Sequence, residues 1–84
     1  MISYRQWQRL RWERDTRYYD ALLHQDLWGR WVLTRVWGRK GTRLGRVVHQ
    51  LFASYEEALK GMEAVRLRRE KRRYVSVTMP SLAS

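Results

Sequence analysis

The hydrophobic period of the chain changes near residue 54, and that change restricts it to a sheet followed by a helix. Ahead of the change, β-branched and aromatic residues come in short runs broken by Gly and Asp. Residues 30–37, RWVLTRVW, are rich in Val, Thr and Trp and form the strongest strand pattern. Residues 16–25, TRYYDALLHQ, read as the strand before it, ending near Gln25. Between the two, Asp26 and Gly29 predict a reversal over residues 26–29. A second turn is expected over GRKG, residues 38–41, with RLGRVVHQLF (43–52) as the next hairpin partner. The first segment, YRQWQRLRWER (4–14), alternates poorly, yet Gln8, Leu10 and Trp12 share one parity, so a first strand is expected there, with an amphipathic helix as the competitor.

Beyond residue 54 the period is helical. Tyr55, Ala58, Leu59, Met62 and Val65 fall on one face. Ser54 suits the N-cap, and Glu57 three residues later completes a capping-box pattern. Glu56 and Glu57 meet the positive end of the helix dipole, and RREKRR (68–73) meets the negative end. Gly61 costs this helix about 1 kcal/mol against Ala, but its bare backbone permits close packing on a sheet. YVSV (74–77) predicts a last short strand. The expected fold is therefore α+β: an antiparallel sheet of four to five strands with one helix on one face, the other face open. Residues 1–78 are expected to form one domain and 79–84 a flexible tail.

With 84 residues the core is small, and five Trp and five Tyr are expected to supply much of the burial. There is no cysteine, which removes disulfides and thiolate metal sites. No apolar run fits a signal peptide or a membrane span, so the expected setting is reducing, aqueous and cytoplasmic, with nucleoid association in view. Lys and Arg number 18 against 8 acids, a net charge of +10. Fifteen of the 18 are Arg, whose planar fork matches phosphate and stacks on aromatic rings. Between Leu27 and Tyr55 stand Arg30, Arg35, Arg39, Lys40, Arg43 and Arg46 with no carboxylate among them. Such a stretch attracts polyanions.

Catalytic patterns are nearly absent. His24 and His49, the two histidines, have no second ligand at metal spacing. Gly38, Gly41 and Gly45 lack the spacing of a nucleotide-triphosphate loop. No enzymatic activity, cofactor, metal or small-molecule substrate is expected. What remains is aromatics interleaved with cations. One alternate set from Trp31 reads Trp31, Leu33, Arg35, Trp37, Arg39, and the other is Val32, Thr34, Val36. One of them packs under the helix, and the pattern leaves open which. At the strand end, Trp37 can lie against a sugar or base, Arg39 can reach a phosphate, and Gly38 and Gly41 let backbone N–H groups approach an anion.

The tripeptide Trp-Gly-Arg occurs twice, at residues 28–30 and 37–39. RYYDALL, RWVLTRVWGRKGT and LFASYEEAL, in that order and spacing, resemble the WGR domain of the DNA-dependent poly(ADP-ribose) polymerases and many bacterial proteins. The likeness runs from about Arg17 to Tyr74. It implies an antiparallel sheet packed on a helix and binding to DNA, particularly at breaks. In the polymerases the motif Trp stacks on a terminal nucleotide, and nearby cations engage the backbone or its 5′ phosphate. Those roles fall on Trp37 and Arg39, with Gly41 and Thr42 matching the motif and Arg35 fitting the basic residue two places before the Trp. The first tripeptide falls in a turn where the family varies. The resulting expectation is a non-catalytic module that binds double-stranded DNA, with ends among its ligands. Its contacts would be Trp37, Gly38, Arg39, Lys40, Arg35, Arg43, Arg46 and Arg30. Protein interaction and RNA binding are the alternatives.

Overall fold

Residues 17–25 alternate between a face of Tyr19, Ala21, Leu23 and Gln25, all buried, and a half-buried face of Tyr18, Asp20, Leu22 and His24. A strand covered on one side and partly shielded on the other belongs in the middle of a sheet, and that is its place. The computed structural model describes residues 6–42 and 45–77. Its elements are β1 (Gln8–Arg14), β2 (Arg17–Gln25), β3 (Trp31–Arg39), β4 (Gly45–Phe52), α1 (Tyr55–Lys71) and β5 (Val75–Ser76). The five strands form one sheet in the order β4-β3-β2-β1-β5, every pairing antiparallel. The α+β architecture expected from the sequence is the one observed. The expected tail, 79–84, lies outside the described residues.

The first segment is a strand, not a helix: β1 pairs with β2 from Gln8↔Leu23 to Arg14↔Arg17. A two-residue turn joins them, with Asp15 in the left-handed region at φ 52°. The reversal after β2 is built on Asp26, whose carboxylate accepts from the backbone N–H groups of Trp28 and Arg30, both at 2.9 Å. Gly29 takes φ 80° in that loop. The second turn differs from expectation. Gly38 pairs with both Tyr18 and Gly45, so β3 continues to Arg39 and the reversal begins at Lys40 and Gly41 (φ 77°).

The question of which alternate set faces the helix is answered by the core. Leu33 is buried beside Trp12, Tyr19, Ala21 and Leu23 and the helix residues Ala58, Met62 and Val65. The set Trp31, Leu33, Arg35, Trp37 and Arg39 therefore lies on the helix side. Trp31 packs on Tyr55 with ring centroids 4.8 Å apart. Ser54 caps α1, its hydroxyl accepting from the Glu57 N–H at 3.2 Å, an interaction worth about 1 kcal/mol. At Gly61 an added Cβ would stand 2.6 Å from the Phe52 ring, so glycine is what admits that ring against the helix.

The other end of α1 closes with the Tyr74 N–H on the Arg69 carbonyl and the Arg73 N–H on the Glu70 carbonyl. This is the arrangement that normally ends in a left-handed glycine. Here Arg73 occupies that position at φ 66°, at a cost of about 1 kcal/mol. The buried stripe of the helix also runs one step further than its apolar residues: after Ala58, Met62 and Val65 comes Arg69, 9% exposed.

Candidate nucleic-acid interface

Cross-strand register gathers one cluster at the far end of β3. It sets Arg17 opposite Arg39, Tyr18 opposite Gly38, Trp37 opposite Arg46, and Gly38 opposite Gly45. Tyr74, just past α1, closes the cluster, and together these eight residues line an open groove of about 430 Å³. Two aromatic residues, Trp37 and Tyr74, stand with three guanidinium-bearing ones, Arg17, Arg39 and Arg46, while Tyr18 reaches the rim from the other face of the sheet, where the Arg11 guanidinium lies 4.8 Å from its ring. Glycine leaves room at one point of the rim. A Cβ on Gly45 would stand 3.0 Å from the Tyr18 hydroxyl and 3.2 Å from the Trp37 carbonyl oxygen.

The aromatic wall is held from behind. Trp37 stacks on Tyr19 with centroids 5.5 Å apart and planes 10° from parallel. The Arg69 guanidinium lies 4.3 Å from the Tyr19 ring and 5.1 Å from the Tyr74 ring, so one buried cation joins two of the supporting aromatics. Arg35 donates to the Tyr19 hydroxyl at 3.4 Å and sits 6.0 Å from the Trp37 ring. The Nε atoms of Arg35 and Arg69 are both buried without a hydrogen-bond partner. Trp37 is thus a half-buried ring that is braced by the core while lining a groove.

Carboxylates are concentrated elsewhere. On the opposite face of the sheet Arg11 pairs with Asp20 at 3.1 Å and Glu13 at 3.3 Å, and Lys40 reaches Glu13 at 2.7 Å. The Lys40 ammonium, with Arg11 in support, holds the Glu13 carboxyl below the usual carboxylate range despite partial desolvation. On the helix, Arg66 is clasped by Glu63 and Glu70. Among the described residues Arg17, Arg39 and Arg46 are all exposed, and none is in an ion pair with a carboxylate. Arg17 and Arg39 are direct cross-strand neighbours of like charge, a repulsive placement that an anion would relieve.

Of the residues picked out by sequence, Trp37, Gly38, Arg39 and Arg46 line the groove, and Arg35 stands behind it. They lie at the end of the helix-bearing side of the sheet, past α1, rather than across the open face. Lys40 is turned to Glu13, so the basic stretch that is free of acid in sequence is partly neutralised in space. Arg30 is at the other end of β3, bound to Asp26 at 2.7 Å. Arg43 lies outside the described residues. Sequence reasoning missed Arg17, Tyr18 and Tyr74. The available signal was the hairpin: pairing residues 16–25 with 31–39 already places Arg17 beside Arg39.

No helix among the described residues is long and apolar enough to cross a membrane. Comparison with curated proteins and with solved structures gave no match in either case. The WGR domain family model matches residues 4–80, nearly the whole chain, and takes in the five-stranded sheet, the helix and the Trp37 groove. A small binding-type domain of this kind is consistent with a nucleic-acid-binding module, and the chain belongs to the WGR domain family.

Proposed function

We propose that this WGR domain binds DNA at the groove beside Trp37, without catalysis. The observation that carries the reading is the meeting around one opening of the Trp37 and Tyr74 rings with three exposed arginines, none of them in an ion pair with a carboxylate among the described residues. A stacking surface and phosphate ligands are the two parts a nucleotide requires, and here they are adjacent. A terminal sugar or base lies against Trp37, where the strand end leaves room, and the phosphates beside it meet Arg39, Arg17 and Arg46. Arg35 and Tyr19 hold the indole in place, so little ordering is needed on binding. A 5′-phosphorylated end fits best, because a terminal phosphate brings extra negative charge to the Arg17–Arg39 pair.

The test is a titration over ionic strength. The three phosphates met at the groove contribute about −3 to the slope of log K against log[salt] for duplex DNA. Blunt, nicked, single-stranded and 5′-phosphorylated DNA are compared with RNA of the same sequence, and the phosphorylated DNA end is expected to bind tightest. A slope near zero would remove phosphate from the reading. Protein contact falls instead on the opposite sheet face, where Val47, Leu51 and Val75 are exposed, and would tolerate salt.

A further inference from the structure

A second recess, of about 330 Å³, adjoins the groove and is lined by Arg14, Asp15, Thr16, Arg17 and Arg39. The two openings share Arg17 and Arg39, so a ligand can pass from one into the other. Their linings differ in kind. The groove has aromatic walls, whereas the recess has three guanidinium-bearing residues, one carboxylate and no ring. A surface of that composition can hold phosphate but cannot stack a base. Asp15 leaves the recess net positive, and the turn that carries it is fixed to β3 by the Lys40 N–H on the Thr16 carbonyl at 2.7 Å.

The recess also has an outer neighbour. Arg14 donates to the Arg72 carbonyl at 2.9 Å, which sets the end of α1 against it. Two residues on, Tyr74 lines the groove. Arg73 therefore stands between a residue held by the recess and a residue of the groove, and its own side chain is exposed. Its backbone has the left-handed conformation that glycine would adopt without strain. A strained non-glycine residue at a functional edge is the pattern of stability given up for a contact.

We infer that the Arg14–Arg17–Arg39 recess and the Arg72–Arg73 turn form a second, purely electrostatic subsite that carries the DNA backbone onward from the groove. The inference rests on the groove being the DNA site. The nucleotide at Trp37 is gripped by ring and phosphate together. The following phosphates are gripped by charge alone, so this part of the track reads no base.

Arg73→Gly separates the roles, because stability and binding should move in opposite directions. Removing the left-handed strain should raise the melting temperature, while the loss of one phosphate ligand should cut the salt slope for a 5′-phosphorylated duplex by about one unit. Combined with Arg14→Gln, the loss should be about two units, making the affinity ratio between about 50 and about 200 mM salt roughly tenfold smaller. Lys60→Gln removes equal charge from the first half of α1 and should leave the slope unchanged. Arg73→Gly and Arg14→Gln proteins that are folded and keep the parent's slope would overturn the subsite, as would a Lys60→Gln loss of equal size. If the parent binds and Trp37→Ala weakens it while the Arg14 and Arg73 variants do not, the groove stands and the subsite falls. If the parent does not bind DNA, both fall.

Discussion

Strand β3 has the same three residues at each end, and the two copies have opposite surroundings. At its start, Trp28-Gly29-Arg30 is a loop. Asp26 accepts from two of its backbone N–H groups and binds the Arg30 guanidinium, which also covers the Trp28 ring at 5.4 Å. At its end, Trp37 and Gly38 are strand residues paired on both sides, and Arg39 has no carboxylate partner among the described residues. Trp28 is 77% exposed, yet its charge partner is already satisfied within the loop. Trp37 is less exposed but braced by Tyr19, with unneutralised cations beside it. The same tripeptide therefore stands in two different settings, set apart by the position of the nearest acid and by the presence of a rigid backing.

The largest break in this comparison would come from the two tryptophans. Trp37→Ala is expected to cost about 1–3 kcal/mol of DNA binding, the range for losing a stacking ring. It also removes the Tyr19 stack, worth about 0.5–1.5 kcal/mol to the fold, so melting curves must accompany the titration. Trp28→Ala should change affinity by less than about 0.5 kcal/mol, as an exposed loop residue does. Equal losses would mean that both ends of β3 touch the ligand.

Why one copy could be told from the other in advance, and only in part, follows from how each contact is encoded. The loop over 26–30 was legible because its determinants, Asp26 and Gly29, are local. The helix start at Ser54 and the close approach at Gly61 were legible for the same reason: capping and missing side chains act within a few residues. The side of the sheet that α1 covers was not, because Leu33 and Val32 are equally apolar and only the packing with Ala58, Met62 and Val65 decides between them. Gly38 reads locally as a turn residue, but the ladder to Tyr18 and Gly45 carries the strand through it. Half of the groove was hidden in the same way. Arg17, Tyr18 and Tyr74 are distant in sequence from residues 37–39, and the β2–β3 ladder and the end of α1 bring them to the groove. The Lys40–Glu13 pair shows the converse, a carboxylate imported across the sheet into a stretch that has none of its own.

A sharper and smaller measure comes from the two arginines. Arg39→Gln should flatten the salt slope by about one unit, because a phosphate contact is lost. Arg30→Gln should leave the slope where it was, since Arg30 is already committed to Asp26. Both proteins lose one positive charge, so net charge cannot account for a difference between them. If Arg30→Gln flattens the slope as much, the Asp26 pair does not keep Arg30 from the ligand.

The smallest effect concerns the Asp26 lock itself. Partial burial of this carboxyl pushes its pKa up, but the N–H groups of Arg30 and Trp28 and the Arg30 guanidinium outweigh that and hold it below the ordinary aspartate range. A group lowered on folding adds stability that is fully present above its ordinary pKa and is lost as pH falls through the folded value. The loop should therefore stay closed down to about pH 4 and loosen only below it. Amide exchange at Trp28 and Arg30 is the readout, since both N–H groups bond to Oδ1. Their protection should drop in acid while that of Gly38 and Tyr18, bound in the ladder, persists further. Asp26→Asn should reproduce the loosening at neutral pH, because the amide keeps one acceptor but no charge for Arg30. It should leave Trp37-dependent binding unchanged, because the loop is a full strand length from the groove. Protection at Trp28 and Arg30 that is indifferent both to acid and to Asp26→Asn would show that the carboxylate is not what distinguishes the first copy from the second.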